Sequence, residues 1–165
     1  VGNLGKKPEW EFREECEDKH QEIMDLSQII EMDLDGFEVN SHSFSHPKLS
    51  TIGEDELHAE IAGSKQVLED MLGHEINAIS YPYGDYDEKV CEAAANAGYS
   101  LGFTIEPSEV NDLTNRYRIG RCEVFPGESL FRFRLKCTGA FQTNATLSKI
   151  KLLVLNCLEM INIKF

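Results

Sequence analysis

Short apolar runs alternate with longer amphipathic stretches along the middle of this 165-residue chain. Three runs have the composition of β-strands and cover residues 37–41, 76–80 and 100–105. Between them, apolar residues recur at helical spacing over residues 54–72 and 85–96. One strand, loop and helix together take about thirty residues, which is the size of a βαβ unit. The alternation therefore predicts an α/β fold, with parallel strands covered by helices.

Other segments extend this pattern towards both ends of the chain. Apolar residues near helical spacing predict a helix over residues 8–35, which Gly36 ends. Past residue 106 the pattern is looser, and we expect a strand over 118–124, a short helix over 128–136 and a terminal helix over 147–161. No linker or low-complexity tract divides the sequence, so residues 1–165 are predicted to form a single domain.

The composition argues against some classes of partner. A formal net charge of −13 opposes binding to nucleic acid or to an anionic membrane, because both are polyanions. The sequence has no run of about eighteen apolar residues, so no membrane-spanning helix is predicted. The 5 cysteines are scattered and form no Cys-x-x-Cys pair, which gives neither a zinc knuckle nor a disulfide framework. This cysteine usage favours a cytoplasmic location, and an extracytoplasmic location stays open.

Two histidines four residues apart follow the first predicted strand. They are His42 and His46, in the segment Asn-Ser-His-Ser-Phe-Ser-His-Pro at residues 40–47. Pro47 disfavours helical backbone at His46, so we expect both histidines to lie on a loop. Loops that leave the carboxyl ends of strands are where α/β folds place their chemistry. Because imidazole is a common ligand of zinc and similar ions, the pair is a candidate metal site, with ordinary loop histidines as the alternative.

A second loop of unusual composition follows the predicted strand at residues 76–80. It contains Tyr-Pro-Tyr-Gly at residues 81–84, followed by Asp85 and Asp87. Tyr-Pro-Tyr-Gly is also good turn chemistry, so simple packing is the alternative to a functional role. Asp85 and Asp87 are predicted to cap the helix that follows, with catalysis as their alternative.

These two loops, in this order, resemble motifs two and three of the polysaccharide deacetylase family. The same family is called the nodulation-protein-B homology domain or carbohydrate esterase family four. Arg118-Ile119-Gly120-Arg121 is similar to a basic strand common late in the family. The resemblance covers residues 1–124 and is strongest over 36–99. It implies a distorted, incomplete (β/α) barrel of the polysaccharide deacetylase type, which lacks its first strand or strands.

The resemblance also implies a function and assigns roles to residues. It implies a metal-dependent hydrolase that removes acetyl groups from N-acetylated or O-acetylated carbohydrate, acting on a carbon–nitrogen bond other than a peptide bond. His42 and His46 match the metal-binding histidines, and Tyr83 matches the residue whose main-chain N–H binds the oxyanion. Tyr81 and Pro82 are assigned to substrate binding. The metal is expected to be zinc, with cobalt, nickel or manganese as alternatives.

Parts of the family pattern are missing from this sequence. The first motif, Thr-Phe-Asp-Asp-Gly, supplies a metal ligand and the catalytic base, and we expect its strand to lie before Val1. Ser80 or Tyr81 stands near the place of the arginine of motif three, and no histidine follows His74 to act as the late acid. The alternatives are an inactive deacetylase-like domain or fragment that binds a metal or a sugar, and an α/β scaffold whose histidines bind nothing. A barrel without its first strand also exposes a sheet edge, which predicts a homodimer.

Overall fold

A computed structural model describes residues 1–8, 10, 21–106 and 115–137 of the chain. Within these residues the elements are, in order, α1 (Leu26–Leu34), α2 (Glu54–Leu72), β1 (Ala78–Ser80), α3 (Glu88–Asn96), β2 (Leu101–Phe103) and α4 (Leu130–Cys137). Two single turns of 3-10 helix, Leu49–Thr51 and Pro82–Gly84, lie in the loops before α2 and after β1. The predicted terminal helix over 147–161 falls outside the described residues.

The two strands form a parallel pair at the centre of the described fold. Ala78 lies opposite Leu101, and Ser80 lies opposite Phe103. Because the chain passes through α3 between β1 and β2, these elements form the βαβ unit that the alternating sequence pattern predicts. The predictions over 76–80 and 100–105 are therefore confirmed in type, and each observed strand is shorter than predicted.

Single bridges extend this sheet at both edges. Ser41 pairs with Ile79 on one side, and Phe103 pairs with Ile119 on the other, both in parallel. The predicted strands over 37–41 and 118–124 are therefore too long, since each contributes one bridge. At the first edge the N–H of Ala78 donates to the Asn40 side-chain oxygen at 3.0 Å. In a longer ladder this N–H would donate to a strand carbonyl instead.

Helix α1 is much shorter than the helix predicted over residues 8–35. It begins after Asp25, whose side chain accepts from the N–H of Gln28 while the Gln28 side chain accepts from the N–H of Asp25. This reciprocal capping box fixes the start of a helix, and residues 21–25 before it are not helical. Residues 9 and 11–20 of the prediction lie outside the described part of the chain.

Helix α2 has the bounds that its apolar stripe predicted. Gly73 ends it with φ of +75°, a left-handed conformation that glycine adopts without steric cost. The helix packs its apolar face on the sheet and on α3 around one core. The core consists of the buried residues Leu49, Leu57, Ile61, Leu68, Ile76, Ile79, Tyr81, Val90, Ala94 and Tyr99. The carboxyl ends of the strands are left at one edge of this core, where the two loops of interest begin.

The C-terminal part of the described chain contains α4. Its bounds lie close to those predicted over residues 128–136. Across the described residues, no helix has both the length and the apolar character needed to cross a membrane. The single-domain prediction for residues 1–165 stays a prediction.

Candidate functional site

The two loops singled out in the sequence lie side by side. We call residues 42–47 the histidine loop and residues 81–87 the tyrosine loop; they follow the bridge at Ser41 and strand β1 respectively. The ring centroids of His42 and His46 are 4.8 Å apart, and those of His46 and Tyr83 are 4.7 Å apart. Parallel pairing places both loops at the same edge of the sheet, which is why residues far apart in the sequence meet.

A backbone hydrogen bond orients the ring of His42. Its Nδ1 lies 2.6 Å from the carbonyl oxygen of Ser80, and because a carbonyl can only accept, Nδ1 carries the proton. The lone pair is therefore on Nε2, as in histidines whose other nitrogen is held by an outer partner of a metal site. Loss of solvent around the ring lowers the pKa of His42, the bond to Ser80 opposes this, and the positive charge of Arg121 lowers it further.

His46 lies in a strained and crowded part of the histidine loop. Its φ is +70°, and that of Ser43 is +66°, both in the left-handed region that non-glycine residues seldom occupy. The N–H of His46 donates to the Ser43 hydroxyl at 3.0 Å, and the Trp10 ring stacks on the imidazole with centroids 4.4 Å apart. Within the described residues, Nδ1 of His46 is buried and has no hydrogen-bond partner. Such orphaned polar atoms are rare in native structures and often mark a functional site.

Two imidazoles with lone pairs at neutral pH suit zinc and similar divalent ions. Burial and the adjacent His42 together lower the pKa of His46 to about 4, so both rings are neutral near pH 7. A catalytic zinc centre uses three protein ligands and keeps one open position. No group of three or more His, Cys, Asp and Glu side chains that could hold a metal occurs in the described part of the chain. The residues present therefore fit two of the three protein ligands.

The low pKa of His46 predicts a pH dependence for the stability of the metal-free protein. The unfolded chain binds a proton at about 6.5 and the folded chain at about 4, so between these values the unfolded state holds more protons. The contribution of His46 to the free energy of unfolding is therefore complete above pH 6.5 and is lost as the pH falls towards 4. We expect the urea midpoint of the parent protein to fall as the pH is lowered over this range, and that of His46→Gln to fall less. If the midpoints of the two proteins fall equally, the lowered pKa assigned to His46 is wrong.

His74 is another histidine whose pKa differs between the folded and the unfolded chain. A hydrogen bond from its ring to Asp33 at 2.9 Å raises the pKa of His74 above its ordinary value. Stability from this pair is complete below pH 6.5 and is lost as the pH rises through the folded pKa. Because this contribution does not change below pH 6.5, it leaves the fall expected from His46 between pH 6.5 and pH 4 in place.

The tyrosine loop forms a tight turn in which Tyr83 is the exposed residue. Tyr83 has φ of +58° and ψ of +5°, and its side chain is 39% exposed. Gly84 follows with φ of +66°, and a Cβ there would overlap the Ile105 side chain. The loop closes with a bond from the Gly84 N–H to the Tyr81 carbonyl at 3.0 Å. The turn thus holds Tyr83 beside His46 by backbone conformation.

The structure places Tyr81 and Pro82 in the interior. Tyr81 is 0% exposed, and its hydroxyl donates to the Tyr117 carbonyl oxygen at 3.0 Å. Burial is the main cause that raises the pKa of the Tyr81 hydroxyl, so this group stays protonated as a donor. Pro82 is likewise fully buried. The sugar contacts predicted for these two side chains therefore have no surface on which to form.

The two aspartates of the tyrosine loop have different roles. Asp87 is the N-cap of α3 and accepts from the Val90 N–H at 2.9 Å, as predicted. The capping prediction for Asp85 is wrong, because its carboxylate accepts from the N–H and the hydroxyl of Ser50, at 2.7 and 2.9 Å. Asp85 thus ties the tyrosine loop to the segment before α2.

Two further residues reach the loops from distant parts of the sequence. Arg121 donates from Nη2 to the Ser80 hydroxyl at 2.7 Å and from Nε to the Thr104 carbonyl at 3.0 Å. Ser80 is near the place where the family pattern has an arginine, so a guanidinium reaches the end of β1 from a later segment. In the sequence, the resemblance of residues 118–121 to a basic strand of the family was the feature that pointed to Arg121.

The second residue is Glu60 of α2, which is 7% exposed. Its carboxylate accepts from the backbone N–H groups of Phe44 and Ser45, at 2.9 and 2.8 Å, and from the Ser45 hydroxyl. The sequence feature that could have identified Glu60 is its position on the apolar face of α2, because it is adjacent to Ile61 and three residues after Leu57.

Comparison with known proteins decides the family. The sequence profile described as polysaccharide deacetylase matches residues 14–102. The Bacillus subtilis protein named "Putative polysaccharide deacetylase YxkH" is 32% identical over 110 residues, which cover 67% of this chain. This chain belongs to the polysaccharide deacetylase family. Chitin deacetylase 1 of Cryptococcus neoformans is 33% identical to it over 90 residues, covering 52% of the chain.

Solved structures of deacetylases share the fold. The Streptococcus pyogenes deacetylase PplD, in complex with acetate, superposes with a TM-score of 0.65 at 26% identity, over 70% of this chain and 51% of that one. A Bacillus cereus polysaccharide deacetylase gives a TM-score of 0.61 at 27% identity, over 70% and 37% of the two chains. These likenesses confirm the predicted α/β class, a distorted and incomplete (β/α) barrel.

The match covers only part of each relative. This chain spans 39% of the length of YxkH and 19% of the length of the chitin deacetylase. Both are named for a deacetylase, and the activity of a protein containing this chain is therefore taken up as a proposal.

Proposed function

We propose that this chain supplies two metal ligands and the oxyanion donor of a metal-dependent deacetylase that acts on acetylated carbohydrate. The observation that carries this proposal is the meeting of His42, His46 and Tyr83 at one edge of the sheet. Membership of the polysaccharide deacetylase family supports the reaction class. A net charge of −13 suits a neutral or cationic sugar polymer better than an anionic one.

In this proposal His42 and His46 hold a divalent metal, zinc by preference for nitrogen ligands. A bound metal would polarise the acetyl carbonyl and lower the pKa of a bound water. The Ser80 carbonyl keeps the His42 tautomer that leaves Nε2 to bind, and burial keeps both rings unprotonated. The main-chain N–H of Tyr83 would donate to the oxygen that becomes negative when water adds to the carbonyl carbon.

The third ligand and the base would come from the aspartates of the first family motif, which this sequence does not contain. A cleft of about 560 Å³ is lined by residues 37–40, which precede the edge bridge at Ser41, and by residues of the histidine loop. We infer that a further strand would add to the sheet at this edge. The lining of the cleft is largely apolar and includes Phe37, Val39 and Phe44. Such a lining suits a buried strand of a parallel sheet, which is apolar on both faces.

The alternative function is a deacetylase-like domain that binds a metal or a sugar without catalysis. It is favoured by the lack of a third ligand among the described residues. The two functions differ in hydrolysis, and they share the metal site where the alternative domain binds a metal. The predicted homodimer and the cellular location stay predictions.

Metal uptake and acetate release together distinguish these functions. We expect purified protein to take up about one zinc ion per chain and, when the Asp-Asp motif is supplied on the same polypeptide, to release acetate from chitin oligomers. A chelator should abolish the release and added zinc should restore it. An O-acetylated xylan assayed in parallel distinguishes amide from ester substrates.

The outcomes separate the two functions clearly. Zinc uptake without acetate release from either polymer would favour the binding domain. Absence of zinc uptake would contradict the metal site in both functions, and would leave a domain that binds a sugar without a metal or an α/β scaffold with ordinary histidines.

A further inference from the structure

A buried carboxylate from α2 reaches the backbone of the histidine loop between its two imidazoles. Glu60 is 7% exposed, and both of its oxygens face donors of the loop. Oε2 accepts from the N–H groups of Phe44 and Ser45, and Oε1 accepts from the Ser45 hydroxyl. These donors belong to the two residues that separate Ser43 from His46, so the carboxylate grips the centre of the loop.

The loop conformation that Glu60 holds is one that the backbone does not favour by itself. Ser43 and His46, on either side of the gripped residues, both have positive φ. Non-glycine residues keep such angles only where surrounding contacts over-determine them. Hydrogen bonds to an ionised carboxylate are among the stronger ones in proteins, and burial strengthens them. The two left-handed residues turn the chain so that the His46 ring returns towards His42.

We propose that Glu60 is a positioning residue of the metal site, which holds the histidine loop in the shape that brings the two imidazoles together. The inference rests on the proposed binding of a metal by His42 and His46. Without the carboxylate, the loop populates conformers in which the two imidazole rings are apart. Part of the free energy of metal binding is then used to order the loop. The apparent metal Kd then equals the intrinsic Kd divided by the fraction of chains in the conformation that binds the metal.

Glu60 does not act as the missing third ligand in this structure. Its oxygens are engaged by loop donors, and no group of three metal-binding side chains forms in the described part of the chain. The role assigned here is therefore exerted through the backbone of Phe44 and Ser45.

The test compares Glu60→Gln with Glu56→Gln in the otherwise unchanged chain. The Glu60→Gln change keeps the size of the side chain, removes its charge and presents an amide N–H₂ to one of the loop donors. Glu56 lies on α2 and is exposed, so its replacement makes the same change of charge at a solvent-exposed position of the same helix. Zinc affinity is measured by competition with a chromophoric chelator, at a temperature where circular dichroism shows that all variants are folded.

We expect Glu60→Gln to raise the zinc Kd by about 10–100-fold, the range for loss of an outer partner of a metal ligand. Glu56→Gln should stay within about twofold of the parent, and Glu60→Asp, which keeps the charge, should recover part of the loss. Amide hydrogen exchange at Phe44 and Ser45 should speed up in the metal-free Glu60→Gln protein.

Different results overturn different statements. If the parent binds zinc and Glu60→Gln binds it equally well, the positioning role is wrong even when the variant is less stable to urea. If the parent binds no zinc, the proposed metal function fails and the inference fails with it.

Discussion

Replacing His42 or His46 by alanine is expected to weaken zinc binding by more than about a hundredfold. Loss of an outer partner of a metal ligand costs roughly 10–100-fold, and loss of the ligand itself should exceed that. The effect should be large at either position because, in the described part of the chain, no third His, Cys, Asp or Glu side chain is placed to share a metal with the pair. The measurement is a competition titration of the folded protein, with unfolding by urea followed in parallel.

His58→Ala is the matched control for these two variants. His58 lies on α2 and is exposed, so its removal deletes an imidazole that belongs to neither loop. We expect its zinc Kd to match that of the parent. If His58→Ala and His42→Ala reduce zinc binding equally, the observed uptake is non-specific binding to histidine, and the metal site assigned to the two loops is wrong.

Replacing Gly102 by alanine is expected to have the largest effect on stability. A Cβ on Gly102 would overlap the hydroxyl of Tyr81 and lie 2.8 Å from the carbonyl oxygen of Tyr117. Tyr81 is fully buried and bonded to that same carbonyl, so neither neighbour can yield easily. Overpacking of this kind costs about 1–3 kcal/mol, and we expect the upper end of that range or more from urea unfolding.

Gly63→Ala tests whether the steric clash is the cause. Gly63 lies in α2, and a Cβ there would meet nothing within 4 Å. The same substitution should therefore raise the free energy of unfolding by up to about 1 kcal/mol, because alanine favours helix over glycine. Equal destabilisation by both variants would contradict the close approach of Tyr81 to β2. Gly102→Ala should also disturb the tyrosine loop, which begins at Tyr81.

Patterns of neighbouring residues in the sequence predicted the helices whose bounds depend on neighbouring residues. The bounds of α2 follow from its apolar stripe and from Gly73, and Asp87 starts α3 as a helix cap does. The start of α1 was predicted too early, because the helical spacing of apolar residues extends before Asp25 whereas the capping box at Asp25 sets where the helix begins. The strands were found but predicted too long, because hydrogen bonds between strands, rather than composition, decide where a ladder ends.

The tyrosine loop shows where local sequence is insufficient. Tyr-Pro-Tyr-Gly predicts a turn equally well whether its first tyrosine faces a ligand or the core. The structure places Tyr81 inside and Tyr83 outside, with a left-handed backbone at Tyr83. Only the packing of β2 and Tyr117 around the first ring decides which tyrosine is buried.

The sequence by itself determined the family, the α/β class and the pair His42 and His46, since each depends on residues that are close together along the chain. Tertiary structure alone decided that Glu60 grips the histidine loop, that Arg121 reaches Ser80 and that Asp85 binds Ser50 instead of capping α3. The physical reason is range: a helical stripe or a ligand spacing is set within a few residues, whereas the partner of a polar side chain is whichever group the packed core brings within hydrogen-bonding distance.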